Sequence, residues 1–379
     1  MSITSEAGST AGAAPHFDPN EKLVSVDSHV LYTDDWVTAR LPERLRQKWI
    51  EGNKTFRANE AARRNGFTPS IVDIMDPEAW NDPGHTEPHA KLKAMDRDGV
   101  FAEVIFPEVG GAKMCGPTIM GDDWKEMLSG FNDAIGDFAS VDKERLLVAY
   151  QLIPFDIDAT LKEVDRIAQK GARCVQLPSF PTELGLKDYY HRDYDRLWGS
   201  LQEKGLTVLN HLDNTEKSFE HMRRDPTPMR GIALGLPSLQ LAETICFWIL
   251  PGTLERFPKL KVMFVEPGLG WLPFLFDTIL DGRITQGHYK FDNLSMLPSE
   301  YFKRQMGATF MYEPLGLKYC YEYFGPDVLF WSTDFPHPAT SWPNSRPLME
   351  KQFTAAGIND ADRRKIVCEN GLRMFGLKQ

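Results

Sequence analysis

Cysteine is scarce in this chain: five in 379 residues, at Cys115, Cys174, Cys246, Cys320 and Cys368, with no CxxC pair. An odd, scattered set excludes a disulfide framework and points to a reducing cytoplasm. Cys174 and Cys246 fall inside apolar runs, where cysteine behaves as a small core hydrophobe. Long apolar stretches are also missing, each being interrupted well short of the roughly 20 residues a membrane helix needs. There is no excess of basic charge: 43 Lys and Arg against 53 Asp and Glu give a net charge of -10, which argues against nucleic acid as a partner. No Gly-rich phosphate turn follows any apolar run, which disfavours a doubly wound nucleotide-binding sheet. The Ser/Ala/Gly/Thr-rich start lacks the basic n-region and apolar core of a signal peptide, and residues 1–20 are expected to form a flexible tail.

What the sequence does have is an alternation. The run Val328–Thr333 is apolar and β-branched, reads as a buried strand, and breaks off at Asp334, Pro336 and His337. The same construction recurs upstream. Strands are expected at Leu23–Val30, Phe101–Pro107, Leu146–Pro154, Ala172–Pro178, Leu206–His211, Leu260–Glu266 and Arg304–Met311, with helical periodicity between them. Examples are Trp36–Ile50, His89–Gly99, Asp123–Val141 and Ile157–Lys170. Eight strand-then-helix units imply parallel strands, and eight of them close a (β/α)8 TIM barrel. Residues 21–379 then form one domain, with insertions at about 51–87 and 213–237 where the period is lost.

In a TIM barrel the C-terminal strand ends ring one face, and active sites lie there. The polar residues at those ends are Asp27 and His29, Gln176, Asn210 and His211, Glu266, and Asp334 with His337 just beyond. Each alone has an ordinary reading: Asp27 as a turn cap, His211 as a satisfied core histidine, His337 bonded to a loop carbonyl. Together, imidazoles and carboxylates converging from different strands suit a divalent metal, and the two-residue spacing of Asp27 and His29 puts both on one strand face. Gln176 and Asn210 are expected to contact substrate. His16, His85, His191, His221 and His288 sit in tail, loop or helix surroundings and receive no chemistry.

These motifs carry a resemblance. Val-Asp27-Ser-His29, Leu-Asn-His211, Val-Glu266-Pro-Gly-Leu-Gly-Trp, Trp-Ser-Thr-Asp334-Phe-Pro-His337 and the terminal Glu369-Asn-Gly-Leu-Arg-Met-Phe-Gly376 occur in order. They are similar to the amidohydrolase superfamily, in the branch that holds aminocarboxymuconate-semialdehyde decarboxylase and the resorcylate decarboxylases. The resemblance covers residues 23 to 377 and implies a metal site formed by Asp27, His29, His211 and Asp334. It also implies one or two ions of zinc, iron or manganese, a small-molecule substrate and a homodimer. Two positions depart from the pattern. Glu266 stands where strand six usually carries a histidine, and Gln176 where binuclear members carry a bridging lysine or glutamate.

The function expected on this basis is metal-dependent hydrolysis of an amide, ester or thioester carbonyl in a small apolar or aromatic substrate. Asp334 would pass the proton, Glu266 would serve as ligand or second acid/base, and His337 would orient Asp334 or contact the developing oxyanion. The competing expectations are non-oxidative decarboxylation of an aromatic or enoic acid, and a non-catalytic binding barrel. An anion at Glu266 would oppose the first of these by repelling a substrate carboxylate.

Overall fold

The computed structural model describes residues 20–63, 76–108, 111–213, 215–227 and 231–378. All but Asn20 of the expected tail lies outside these, as do 64–75 of the first expected insertion and 214 and 228–230 of the second.

Strands β1 (Leu23–Val30), β2 (Val100–Pro107), β3 (Leu146–Gln151) and β4 (Cys174–Gln176) are buried almost throughout. So are β5 (Thr207–His211), β6 (Val262–Val265), β7 (Met306–Phe310) and β8 (Leu329–Trp331). Burial on both faces is what parallel strands flanked by helices require, and it explains their near-continuous apolar sequences. They pair in chain order, each parallel to the next. The chain leaving β8 returns to β1 through a parallel bridge between Ser28 and Phe335. There the His29 amide donates to the Phe335 carbonyl at 2.7 Å, and the Asp334 amide to the Asp27 carbonyl at 3.0 Å. The expected TIM barrel is thus the observed one.

Helices cover the outside. In Trp124–Phe138 the buried residues include Met127, Phe131, Ile135 and Phe138, the periodicity legible in the sequence. The first expected insertion departs from its description. A helix runs from Glu43 to Arg63, past the expected end at Ile50, with Trp49, Gly52, Asn53 and Phe56 buried along one face. The helical period continues through small and polar residues because Asn53 and Trp49 both donate to the buried side of Asp34, at 2.6 and 2.9 Å. The second contains the helix Glu216–Arg224. Two further helices, Pro298–Gln305 and Ser345–Ala356, were not legible as periodic runs, and the first of them shortens β7 at its start. No helix among the described residues is long and apolar enough to cross a membrane.

Inside the barrel the side chains are tightly interdigitated, and β7 carries Gly307 where a neighbouring ring takes the space. A Cβ at Gly307 would lie 2.5 Å from the Phe330 ring and 3.0 Å from the Met263 methyl. Gly307→Ala should therefore cost about 1–3 kcal/mol by overpacking. Urea unfolding of the single variant and of Gly307→Ala/Phe330→Leu measures this. Partial recovery in the double variant is the expected result, and an unchanged midpoint in the single one would contradict the packing.

Candidate metal centre

Alternation along β1 sends Asp27 and His29 into the barrel mouth and Ser28 outward, where its hydroxyl accepts from the buried Lys91 ammonium. Lys91 also pairs with Glu103 of β2 at 3.0 Å, and Thr333 donates to Glu103 at 3.4 Å. Behind the mouth, then, a dry ion pair ties β1, β2 and the end of β8 to one another. Burial works against Lys91's charge and lowers its pKa, with Glu103 opposing that shift.

Four strands deliver the groups in front. His29 Nε2 lies 3.4 Å from Asp27 Oδ1 and 3.2 Å from Asp334 Oδ1, and His211 Nε2 lies 3.4 Å from the same Asp27 oxygen. Asp27, His29, His211 and Asp334 are all under 10% exposed. Two sets of three ligand atoms each fall within 4.8 Å of one another: Asp27, His29 and His211, and His29, Asp334 and His337. Glu266, at the end of β6, stands close enough for its charge to act on Asp334, His211 and Asp27. Its amide is held by Thr309 Oγ1 at 2.9 Å. Glu266 and Asp334 are the described non-glycine residues with positive φ, 56° and 52°. Such backbone strain at two strand ends is found where a side chain must be aimed at a site.

The polar atoms pointing into this space are left without hydrogen bonds. Both oxygens of Asp27, both ring nitrogens of His29, His211 Nε2 and Asp334 Oδ1 are buried and unsatisfied. Uncompensated atoms of this kind are costly, and a cation would satisfy one of them on each side chain at once. The donor set, two imidazoles and two carboxylates, fits a divalent ion. His211 Nδ1 faces the Leu212 carbonyl at 2.5 Å; donating there fixes the tautomer that leaves Nε2 free as a ligand.

Charge in the metal-free cluster follows from this crowding. Burial alone would raise Asp27, but His211 and His29 outweigh it and hold the carboxyl well below its usual range. Burial disfavours the His211 cation, yet Asp27 and Glu266 push its pKa up to about 10. Glu266 is pushed up to about 8 by burial and by the adjacent Asp334 and Asp27, so it keeps its proton at neutral pH.

Two residues that sequence reasoning passed over complete the surroundings. Glu108, directly after β2, accepts from His337 Nε2 at 2.9 Å, while His337 Nδ1 reaches Asp334 Oδ1 at 3.0 Å. This imidazole lies between two carboxylates and stacks on His29, ring centroids 3.8 Å apart. Burial opposes its charge, but Asp334 and Glu108 hold it protonated well above the ordinary histidine range. His85, which was assigned no chemistry, is 3% exposed and sits 3.4 Å from the same Glu108 oxygen.

Of the expected substrate contacts, Gln176 faces the interior and Asn210 does not. Adjacent residues on a strand point to opposite faces. With His211 inward, Asn210 turns outward and its oxygen accepts from Trp248 of the helix Pro237–Ile249 at 2.7 Å.

A ligand imidazole must lose its proton to bind a metal. With His211 protonated up to about pH 10 in the metal-free site, each bound ion displaces at least one proton at neutral pH. Affinity should rise about tenfold per pH unit for each proton displaced, and weaken as pH falls. Chelator competition at pH 6, 7 and 8 checks this, and a pH-independent affinity would contradict it.

Comparison with known proteins agrees with this architecture. A family model described as amidohydrolase matches residues 26–377. Among solved structures, the amidohydrolase map2389c of Mycobacterium avium subsp. paratuberculosis K-10 superposes with a TM-score of 0.71 at 18% identity, over 94% of this chain and 100% of the other. A 5-carboxyvanillate decarboxylase of Sphingomonas paucimobilis gives 0.66 at 18% identity, over 94% and 99%. A dihydroxybenzoic acid decarboxylase of Polaromonas sp. JS666, solved with manganese and 2-nitroresorcinol, gives 0.65 at 15% identity, over 95% and 98%. At these identities the structures show a shared fold, while the family match spans nearly the whole chain. The chain belongs to the amidohydrolase family and is an enzyme of it, with buried residues that could hold a divalent metal ion.

Proposed function

We propose that the protein is a metal-dependent, non-oxidative decarboxylase of an oxygenated aryl carboxylic acid, with Asp27, His29, His211 and Asp334 as the metal ligands. The observation that carries this reading is the geometry of the mouth: the Phe106 ring lies against the ligand imidazoles, and Glu266, a half-buried acid whose protonated form burial and the neighbouring Asp334 favour in the metal-free site, opens onto the same cluster. A neutral carboxyl there removes the repulsion that an anion would exert on a substrate carboxylate, and it supplies the acid that decarboxylation needs. Gln176 at the strand-four position offers no bridging ligand, which supports a single ion. Phe106 packs on His211 and His29, with ring centroids 4.7 and 5.9 Å away, and gives a flat apolar wall suited to an aromatic ring. Several neighbours in fold are decarboxylases of hydroxylated benzoic acids, which agrees with this choice.

When bound, the metal would hold the substrate carboxylate with an adjacent oxygen and draw electron density from the ring. Phe106 and the imidazole faces orient the ring and exclude water. Glu266 delivers its proton to the carbon that carried the carboxylate. The C–C bond breaks, CO2 leaves, and the bonding pair stays on that carbon to take the proton. Glu266, now ionised, recovers a proton from solvent. His337, held by Glu108, keeps Asp334 turned toward the ligand cluster.

Hydrolysis by a metal-activated water is the second reading, favoured by a carboxyl group at Glu266 that in its ionised form would accept a proton from water. It is the weaker one, because the Phe106 ring beside the ligand imidazoles suits an aryl acid and several neighbours in fold are decarboxylases.

Manganese-loaded protein incubated with a series of hydroxybenzoic acids in D2O should release CO2 and place one deuterium on the vacated ring carbon. Glu266→Gln should lower kcat by about 10²–10⁴-fold, the usual share of a general acid, with metal content unchanged. Ester or amide cleavage without CO2 release from any aryl acid would replace this reading with the hydrolase.

A further inference from the structure

The mouth of the barrel has a second polar feature, on β3 and β4, next to the ligand-bearing β5. Gln151 of β3 and Gln176 of β4 are paired in register and share the interior face. Gln151 is 2% exposed, and its backbone is clamped in both directions by Asn132: the Gln151 amide donates to Asn132 Oδ1 at 2.8 Å, and Asn132 Nδ2 donates to the Gln151 carbonyl at 3.0 Å. Gly111 leaves room for its side chain, since a Cβ there would lie 2.9 Å from Gln151 Oε1.

The orientations of the two carboxamides follow from one another. The Ala149 carbonyl can only accept, so the Gln151 side-chain atom 2.8 Å from it is the nitrogen. That same Nε2 lies 2.6 Å from Gln176, and the atom meeting it must be the oxygen. Both hydrogens of Gln151 Nε2 are then used. Gln176 has its Oε1 committed and its Nε2 left over, with no partner for that nitrogen among the described residues. Gln176 is half-buried, and an inward residue at the C-terminal end of a barrel strand gains exposure only through the mouth. Lys113 pairs with Asp213 at 2.7 Å, joining the segments after β2 and β5 that flank these two strands.

We infer that Gln176, locked by Gln151, is a specificity-determining hydrogen-bond donor. It recognises an oxygen on the ring edge of the substrate opposite the metal-bound carboxylate. The inference rests on the aryl-acid reading above and narrows it to rings with a second oxygen substituent remote from the carboxylate. A carboxamide fixed in one orientation discriminates, because a ring lacking that oxygen leaves its N–H groups unsatisfied once water is expelled.

Calorimetric titration of manganese-loaded protein with salicylate and with the 2,4-, 2,5- and 2,6-dihydroxybenzoates tests this. Wild type should bind the 2,4- or the 2,5-dihydroxy acid about tenfold more tightly than salicylate, and the 2,6-isomer, whose second hydroxyl adjoins the carboxylate, without that gain. Gln176→Leu should abolish that advantage without weakening salicylate, which no longer buries an unsatisfied donor. Gln176→Glu retains the acceptor that meets Gln151 and removes the donor, so it should lose the same advantage if the leucine variant is poorly folded. An unchanged preference in both variants, or no preference in wild type, overturns the inference. CO2 release read on the same samples reports separately on the decarboxylase: selective binding without CO2 leaves the donor role standing and removes the proposed reaction.

Discussion

A shortage of positive charge at one end of the barrel governs this structure. Asp27, Glu266 and Asp334 reach the same small volume from β1, β6 and the end of β8, and burial deprives them of water. Without a metal the cluster can meet this in two ways. It can protonate His29, His211 and His337, and it can keep the proton on Glu266; the pKa directions show both. Even so, polar atoms of Asp27, His29, His211 and Asp334 stay buried without hydrogen bonds. A divalent ion meets the same demand with one bound charge, which is why the site reads as a metal centre and not as a satisfied polar core.

Holding such groups together needs a scaffold that cannot relax. Backbone hydrogen bonds from Asp334 to Asp27 and from His29 to Phe335 fix the first and last strands edge to edge, so the ligands from both ends of the chain share a frame. Lys91, Ser28, Glu103 and Thr333 brace that seam from behind. The left-handed backbone at Glu266 and Asp334 survives because the Thr309 hydroxyl and the Asp27 carbonyl hold the two amides. Glu108 hydrogen-bonds His337, which in turn meets Asp334, and is in that sense a positioning residue.

The barrel was legible because parallel strands covered on both faces leave long apolar runs, and their polar termini stand out against them. That contrast located Asp27, His29, His211, Glu266, Asp334 and His337 near one another before any coordinates. The same rule extended one residue past Pro107 would have found Glu108; the strand was read as ending at the proline. Asn210 went wrong for a physical reason available in the sequence, since alternation forbids it from sharing a face with His211. His85 and Lys91 were not legible. Their roles depend on contacts with residues of β1 and β2 that loop and helix patterns do not encode. The helix past Ile50 was hidden because its buried face uses Gly52 and Asn53 in place of apolar side chains.

The central claim is that Asp27, His29, His211 and Asp334 hold a divalent ion. The most direct test is metal content by plasma mass spectrometry for wild type, Asp334→Asn and His211→Ala, with circular dichroism on the same samples. The account predicts about one ion per wild-type chain, and its loss from both variants with the fold intact. No bound metal after incubation with manganese, zinc or iron, or full retention in both variants, would contradict it.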